Sequence, residues 1–110
     1  MTRRRVVITG MGCVTPLGND VECTWSALLS GKSGISKTEL FDAETFPSTF
    51  SAQVKNFHLP EPLAQSGIHD FAGRQAKFAL AAALEAWLQS DLDKPDQYDP
   101  DRTGIYLGAG

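Results

Sequence analysis

"ITGMGCVTPLGND", residues 8–20, is the stretch that decides how this chain is read. The run just before the first glycine, Val6 to Thr9, is short, apolar and β-branched, the pattern of a strand buried on both faces. Gly10-Met11-Gly12 ends it. Glycines directly after a strand are a usual place for a phosphate cradle, but the spacing here does not fit one. A dinucleotide turn needs G-x-G-x-x-G. Gly10 and Gly12 fill the first two places, Thr15 stands at the third, and Pro16 has no N–H to offer. "GKS" at 31–33 fails as a nucleotide loop too, because Ser26 stands where its first glycine belongs and the motif comes after a helix instead of opening one. No nucleotide or other cofactor is expected.

Working outward, Asn19 or Asp20 is the expected N-cap of a helix over about 20–30, with Glu22 in the first turn where the positive helix end favours a carboxylate. Val21, Trp25, Leu28 and Leu29 form its apolar stripe. Ser30-Gly31 closes it, since glycine adopts the left-handed cap cheaply. Residues 34–68 look irregular. Within them "TFSAQVKNF" (49–57) alternates well enough for a short strand, and Pro60 and Pro62 are expected to break any regular structure after it.

"GRQAKFALAAALEAWLQS", residues 73–90, is the strongest helix signal, giving a helix over about 72–90. Arg74, Lys77, Glu85 and Gln89 make a narrow polar line interrupted by Ala81. Residues 78–84 are apolar all round, so this helix is expected to be buried on most sides. "SDLDKPDQYDPDR" reads as a polar, proline-broken loop, and "TGIYLGAG" as a second buried strand. The two core strands are thus expected at about 5–10 and 103–108. Strands alternating with helices give an α/β class with a parallel sheet. Two strands alone do not make a stable open sheet, so the 110 residues read as an early part of something larger.

Composition narrows the function classes. The chain is 42% hydrophobic with a net charge of −3, and a pI near 5.2 gives no general basic footprint for nucleic acid. Arg3-Arg4-Arg5 reads as the solvated start of the first strand. No apolar run reaches the roughly 20 residues needed to span a membrane, and nothing resembles a secretory leader. Two cysteines suggest no disulfide framework and a reducing, cytoplasmic setting. Cys13, Cys23, His58 and His69 lack zinc-ligand spacing. Asp91, Asp93, Asp96, Asp99 and Asp101 lack the order of a calcium loop. Cys13 is read as a small core residue and Cys23 as filler, because neither has a base beside it in sequence. No catalytic, metal-binding or cofactor-binding residue is assigned.

Residues 4–35, "RRVVITGMGCVTPLGNDVECTWSALLSGKSGI", closely resemble the N-terminus of the elongating beta-ketoacyl-acyl-carrier-protein synthases. That family runs from a Val/Ile strand into TG-x-G-x-x-[ST]-P-[LV]-G, then a Trp-bearing helix, then L-x-x-G-x-S-G-I. Here these are Thr9, Gly10, Gly12, Thr15, Pro16, Leu17 and Gly18, then Trp25, Leu28, Gly31, Ser33, Gly34 and Ile35. Phe41-Asp42, "FSAQVKNF" and "GIYLGAG" match later family segments. Gly73-Arg74-Gln75 departs from the Asp-Arg-Phe often found where the long helix starts.

The resemblance implies residues 1–110 as the opening segment of that family's N-terminal domain. It implies a thiolase-like fold of stacked α-β-α-β-α layers, a homodimer when complete, and an acyl carrier protein as partner. The implied activity is a decarboxylating Claisen condensation of an acyl thioester with malonyl-carrier protein, in fatty-acid or polyketide synthesis, without a cofactor. The family's T-A-C-[ST] nucleophile motif and its histidines do not occur here, so no catalytic residue carries over. Gly10, Gly12, Pro16 and Gly18 are expected to serve as a structural turn, the alternative being a place in a site wall or dimer contact. A non-catalytic chain-length-factor-type subunit and a small interaction module are the competing readings.

Overall fold

A computed structural model describes residues 2–109. Its elements in chain order are α1 (Val21–Leu29), β1 (Ile35–Lys37), β2 (Phe50–Ala52), α2 (Glu61–Ala64) and α3 (Arg74–Gln89), then a 3₁₀ turn at Pro100–Arg102. Asp20 is the N-cap of α1. Its backbone is extended, and its carboxylate accepts from the Cys23 N–H at 2.7 Å. At the other end Gly31 has φ +67°. Its N–H donates to Leu28 O at 3.0 Å, and the Lys32 N–H donates to Ala27 O at 3.0 Å, the paired bonds of a glycine-closed helix end.

β1 and β2 pair antiparallel, with Ile35 opposite Ala52, Ser36 opposite Ser51 and Lys37 opposite Phe50. Side chains extend the pairing. Thr38 Oγ1 and Ser51 Oγ share a hydrogen bond at 2.8 Å, and Gln53 Oε1 accepts from the Glu39 N–H at 3.0 Å. Thr38 and Gln53 are buried, and these partners offset the cost of desolvating them. β2 falls inside the 49–57 stretch that alternates in sequence. β1 has no such signal, being three residues with a polar centre.

Pro60 and Pro62 do not break structure as expected. They start α2, with Pro60 at its N-cap and Pro62 in its first turn. A helix's first turn has no use for those N–H groups, so proline fits there.

The larger departure concerns burial. The stretches 5–10 and 103–108, expected as core strands, carry no ladder, and no parallel sheet forms among the described residues. A strand exists only through bonds to a neighbour, and no other strand among these residues lies against either stretch. Their side chains are accordingly in solvent, with Val6 94% and Ile105 85% exposed. On α3 Ala81 is buried, whereas Ala79, Ala83 and Leu88 are exposed. The Trp25–Leu28–Leu29 stripe of α1 also faces outward, with Trp25 59% exposed.

The accessible surface is 9311 Å², against about 6,000 Å² for a folded monomer of this mass. The radius of gyration is 17.6 Å, where about 13 Å is usual for this length. The buried apolar residues among those described are Ala27, Ala43 and Ala81. These residues therefore do not enclose a core of ordinary size.

Candidate functional site

The glycine-rich bend lies against α3. A Cβ on Gly10 would fall on the carbonyl of Ala86, and one on Gly12 on the carbonyl of Ala82. The spacing explains the sequence. Two residues of extended chain advance about 6.6 Å, and four residues of helix rise about 6 Å. Glycines at i and i+2 therefore meet successive alanines at j+4 and j, with the bend running opposite to the helix. The absence of a side chain on the glycines and the small one on the alanines let the two backbones approach this closely.

The residues between and after the glycines direct their N–H groups at the same helix. Met11 N–H donates to Gln89 Oε1 at 2.6 Å, and Cys13 N–H donates to Glu85 Oε2 at 3.1 Å. The other oxygen of Glu85, Oε1, accepts from the Val21 N–H, at the first residue of α1, at 2.9 Å. Glu85 therefore ties both ends of the bend to α3. Within the bend Thr15 and Gly18 pair across Pro16-Leu17, with Thr15 N–H to Gly18 O at 2.8 Å and Gly18 N–H to Thr15 O at 3.2 Å. Thr15 Oγ1 accepts from Leu17 N–H at 3.1 Å and shares a bond with Thr24 Oγ1 at 3.0 Å. A Cβ on Gly18 would stand 2.6 Å from that of Cys23, so the turn also sits tight against α1.

These bonds decide the phosphate question on chemical grounds. The N–H groups of Met11, Cys13, Thr15, Gly18, Val21 and Cys23 all have protein acceptors. The carboxylates of Glu85 and Asp20 stand where an anion would need donors, and they repel it. The bend is no anion cradle.

Nor does either cysteine have the setting of a nucleophile. Cys13 is half-buried, with Sγ 3.6 Å from Thr24 Oγ1. Cys23 is exposed, and its Sγ donates to Asp20 Oδ2 at 3.5 Å. That hydrogen bond, and after it the charge of the same carboxylate, raises the Cys23 thiol above its ordinary pKa, opposite to what thiolate chemistry needs. His58 has Nδ1 3.2 Å from Asn56 O. Neither His58 nor His69 has a hydrogen bond to a cysteine among the described residues. No group of His, Cys, Asp and Glu able to hold a metal ion occurs among them either. Asp99 caps the 3₁₀ turn, and Asp91 pairs with Lys94 at 2.8 Å in solvent.

Glu85 and Gln89 hold the bend to α3, a role that their positions in the sequence did not announce. The available signal was the polar line on α3. Glu85 and Gln89 stand at i and i+4 beside Ala82 and Ala86, directly after the apolar run at 78–84.

No helix among the described residues is long and apolar enough to cross a membrane. The family model described as beta-ketoacyl synthase, N-terminal domain, matches residues 3–110. Among similar proteins, a 3-oxoacyl-[acyl-carrier-protein] synthase 2 of Coxiella burnetii is 41% identical over 110 residues, which is 100% of this chain and 26% of the relative. One of Vibrio harveyi is 37% identical over the same share of each. One of Staphylococcus aureus strain N315 is 36% identical over 107 residues, 97% of this chain and 25% of the relative. The chain thus spans about a quarter of the length of these relatives. A match that runs from Arg3 through the bend, α1 and α3 to residue 110 places this chain in the beta-ketoacyl synthase family, within the stretch covered by its N-terminal domain.

Proposed function

We propose that this chain is the opening segment of a 3-oxoacyl-acyl-carrier-protein synthase with a thiolase-like fold, working as a homodimer in the cytoplasm. The supporting observation is whole-chain identity of 36–41% to relatives that carry that name. The complete protein then catalyses chain extension in fatty-acid synthesis. A cysteine thiolate attacks an acyl thioester and expels the carrier thiol. Malonyl-carrier protein loses CO₂, and the enolate carbon displaces the cysteine to form the new C–C bond. Backbone N–H donors stabilise both negative oxygens.

The residues in hand contribute scaffold to that enzyme. Gly10, Gly12, Pro16 and Gly18 form a structural turn that holds the end of the first strand against α3. The exposed runs at 6–8 and 105–107 are surfaces for the central sheet. Val6, Val7 and Ile8 suit this role because they are β-branched and fully apolar.

The test is an assay of the protein encoded by the full reading frame with acyl- and malonyl-carrier protein. The reading expects CO₂ release matched by 3-oxoacyl product, abolished when the T-A-C cysteine is changed to alanine. A full-length protein that binds carrier protein yet has no such cysteine and forms no product would instead be a non-catalytic partner subunit.

A further inference from the structure

The contacts that hold the bend continue into the 50–57 segment and return to α3. Asn19 Nδ2 donates to Lys55 O and to Asn56 O, both at 3.1 Å. One residue before these carbonyls, Val54 O accepts from Arg74 Nη2 at 2.6 Å. Arg74 begins α3 and lies over the Phe78 ring at 4.9 Å, and Phe57 packs edge-on against the same ring at 4.9 Å between centroids. Further along α3, Glu85 takes the N–H groups of Cys13 and Val21.

A closed circuit results. It runs from Arg74 to the 54–56 backbone, through Asn19 into the bend, and through Glu85 back to α3. Every joint in it is a side chain gripping backbone. We infer that the bend and the 54–57 segment open as a single cooperative unit hinged on α3, and that Arg74 and Glu85, eleven positions apart on that helix, are energetically coupled through it. Side chains that share a hydrogen-bond network depart from additivity, whereas distant unlinked ones do not, and local opening proceeds in such contiguous units.

The test is amide hydrogen exchange on the protein encoded by the full reading frame, read at Cys13 and Val21. In the parent both amides exchange slowly, and E85A accelerates both by about tenfold or more. The discriminating variant is R74A, which touches neither amide. The circuit expects it to accelerate both by about threefold or more while the amides of Leu84 to Leu88 inside α3 keep their rates. N19D, which keeps the shape and removes both donors, is expected to do the same at Cys13. The exposed K94A serves as the control and changes nothing. The inference is overturned if Cys13 and Val21 are unprotected in the parent, if R74A and N19D leave them at parent rates, or if the α3 amides accelerate by the same factor.

Discussion

The bend at 10–18 and the run at 6–8 are neighbours in sequence, yet they differ in what they find to bond with. The bend meets helix backbone through its glycines and finds a side-chain or turn acceptor for many of its N–H groups. The run has the more strand-like sequence of the two, but Val6 is 94% exposed and the stretch carries no ladder. Local propensity was not the deciding factor. The bend's partners lie on α3, within these residues, whereas a β-branched run needs a second strand and has none among those described.

The comparison can be attacked where it is tightest. G12A places a methyl group on the Ala82 carbonyl, which belongs to helix backbone and cannot swing aside. Separating the bend from α3 is expected to cost about 3 kcal/mol, read as faster amide exchange at Met11 and Cys13. Next is E85A, which leaves two part-buried N–H groups without acceptors. About 2 kcal/mol of local stability is expected to go with it, and E85Q should keep one of the two bonds. G31A puts a side chain at φ +67° in open space, so its cost is backbone strain alone, about 1 kcal/mol. It is measured as fraying of the last turn of α1.

The smallest expected effect is chemical. D20N removes the charge and weakens the acceptor that hold the Cys23 thiol up. The thiol pKa should fall towards its ordinary value, so alkylation at a fixed pH below it becomes faster. Thiolate absorbance against pH checks this, and an unchanged titration would show that Asp20 does not control it.

Much of the local structure was legible. Asp20 and Gly31 announce the two ends of α1 because capping needs only a few residues and their own backbone. The Ala- and Leu-rich stretch announces α3 for a similar reason, since helix bonds stay within the segment. β1 was illegible because it is held by pairing with Phe50–Ala52 and by Thr38 and Gln53, not by any pattern in "ISK". The prolines at 60 and 62 were misread because proline opens helices as readily as it ends them. Glu85 was visible as part of a polar line, but its two N–H partners lie 72 and 64 residues away. Only the fold brings them together. Nothing in the glycine motif foretold the carboxylates of Glu85 and Asp20 that accept from the amides of Cys13, Val21 and Cys23.

These residues form a scaffold held around α3, with the apolar side chains at 6–8 and 105–107 left in solvent. The most direct measurement is thermal unfolding of the 110-residue chain at several concentrations, with a dye that reports exposed apolar surface. The account predicts dye binding at low temperature and either a broad transition or one that shifts with concentration. A sharp, concentration-independent melt of a monomer that binds no dye would contradict it.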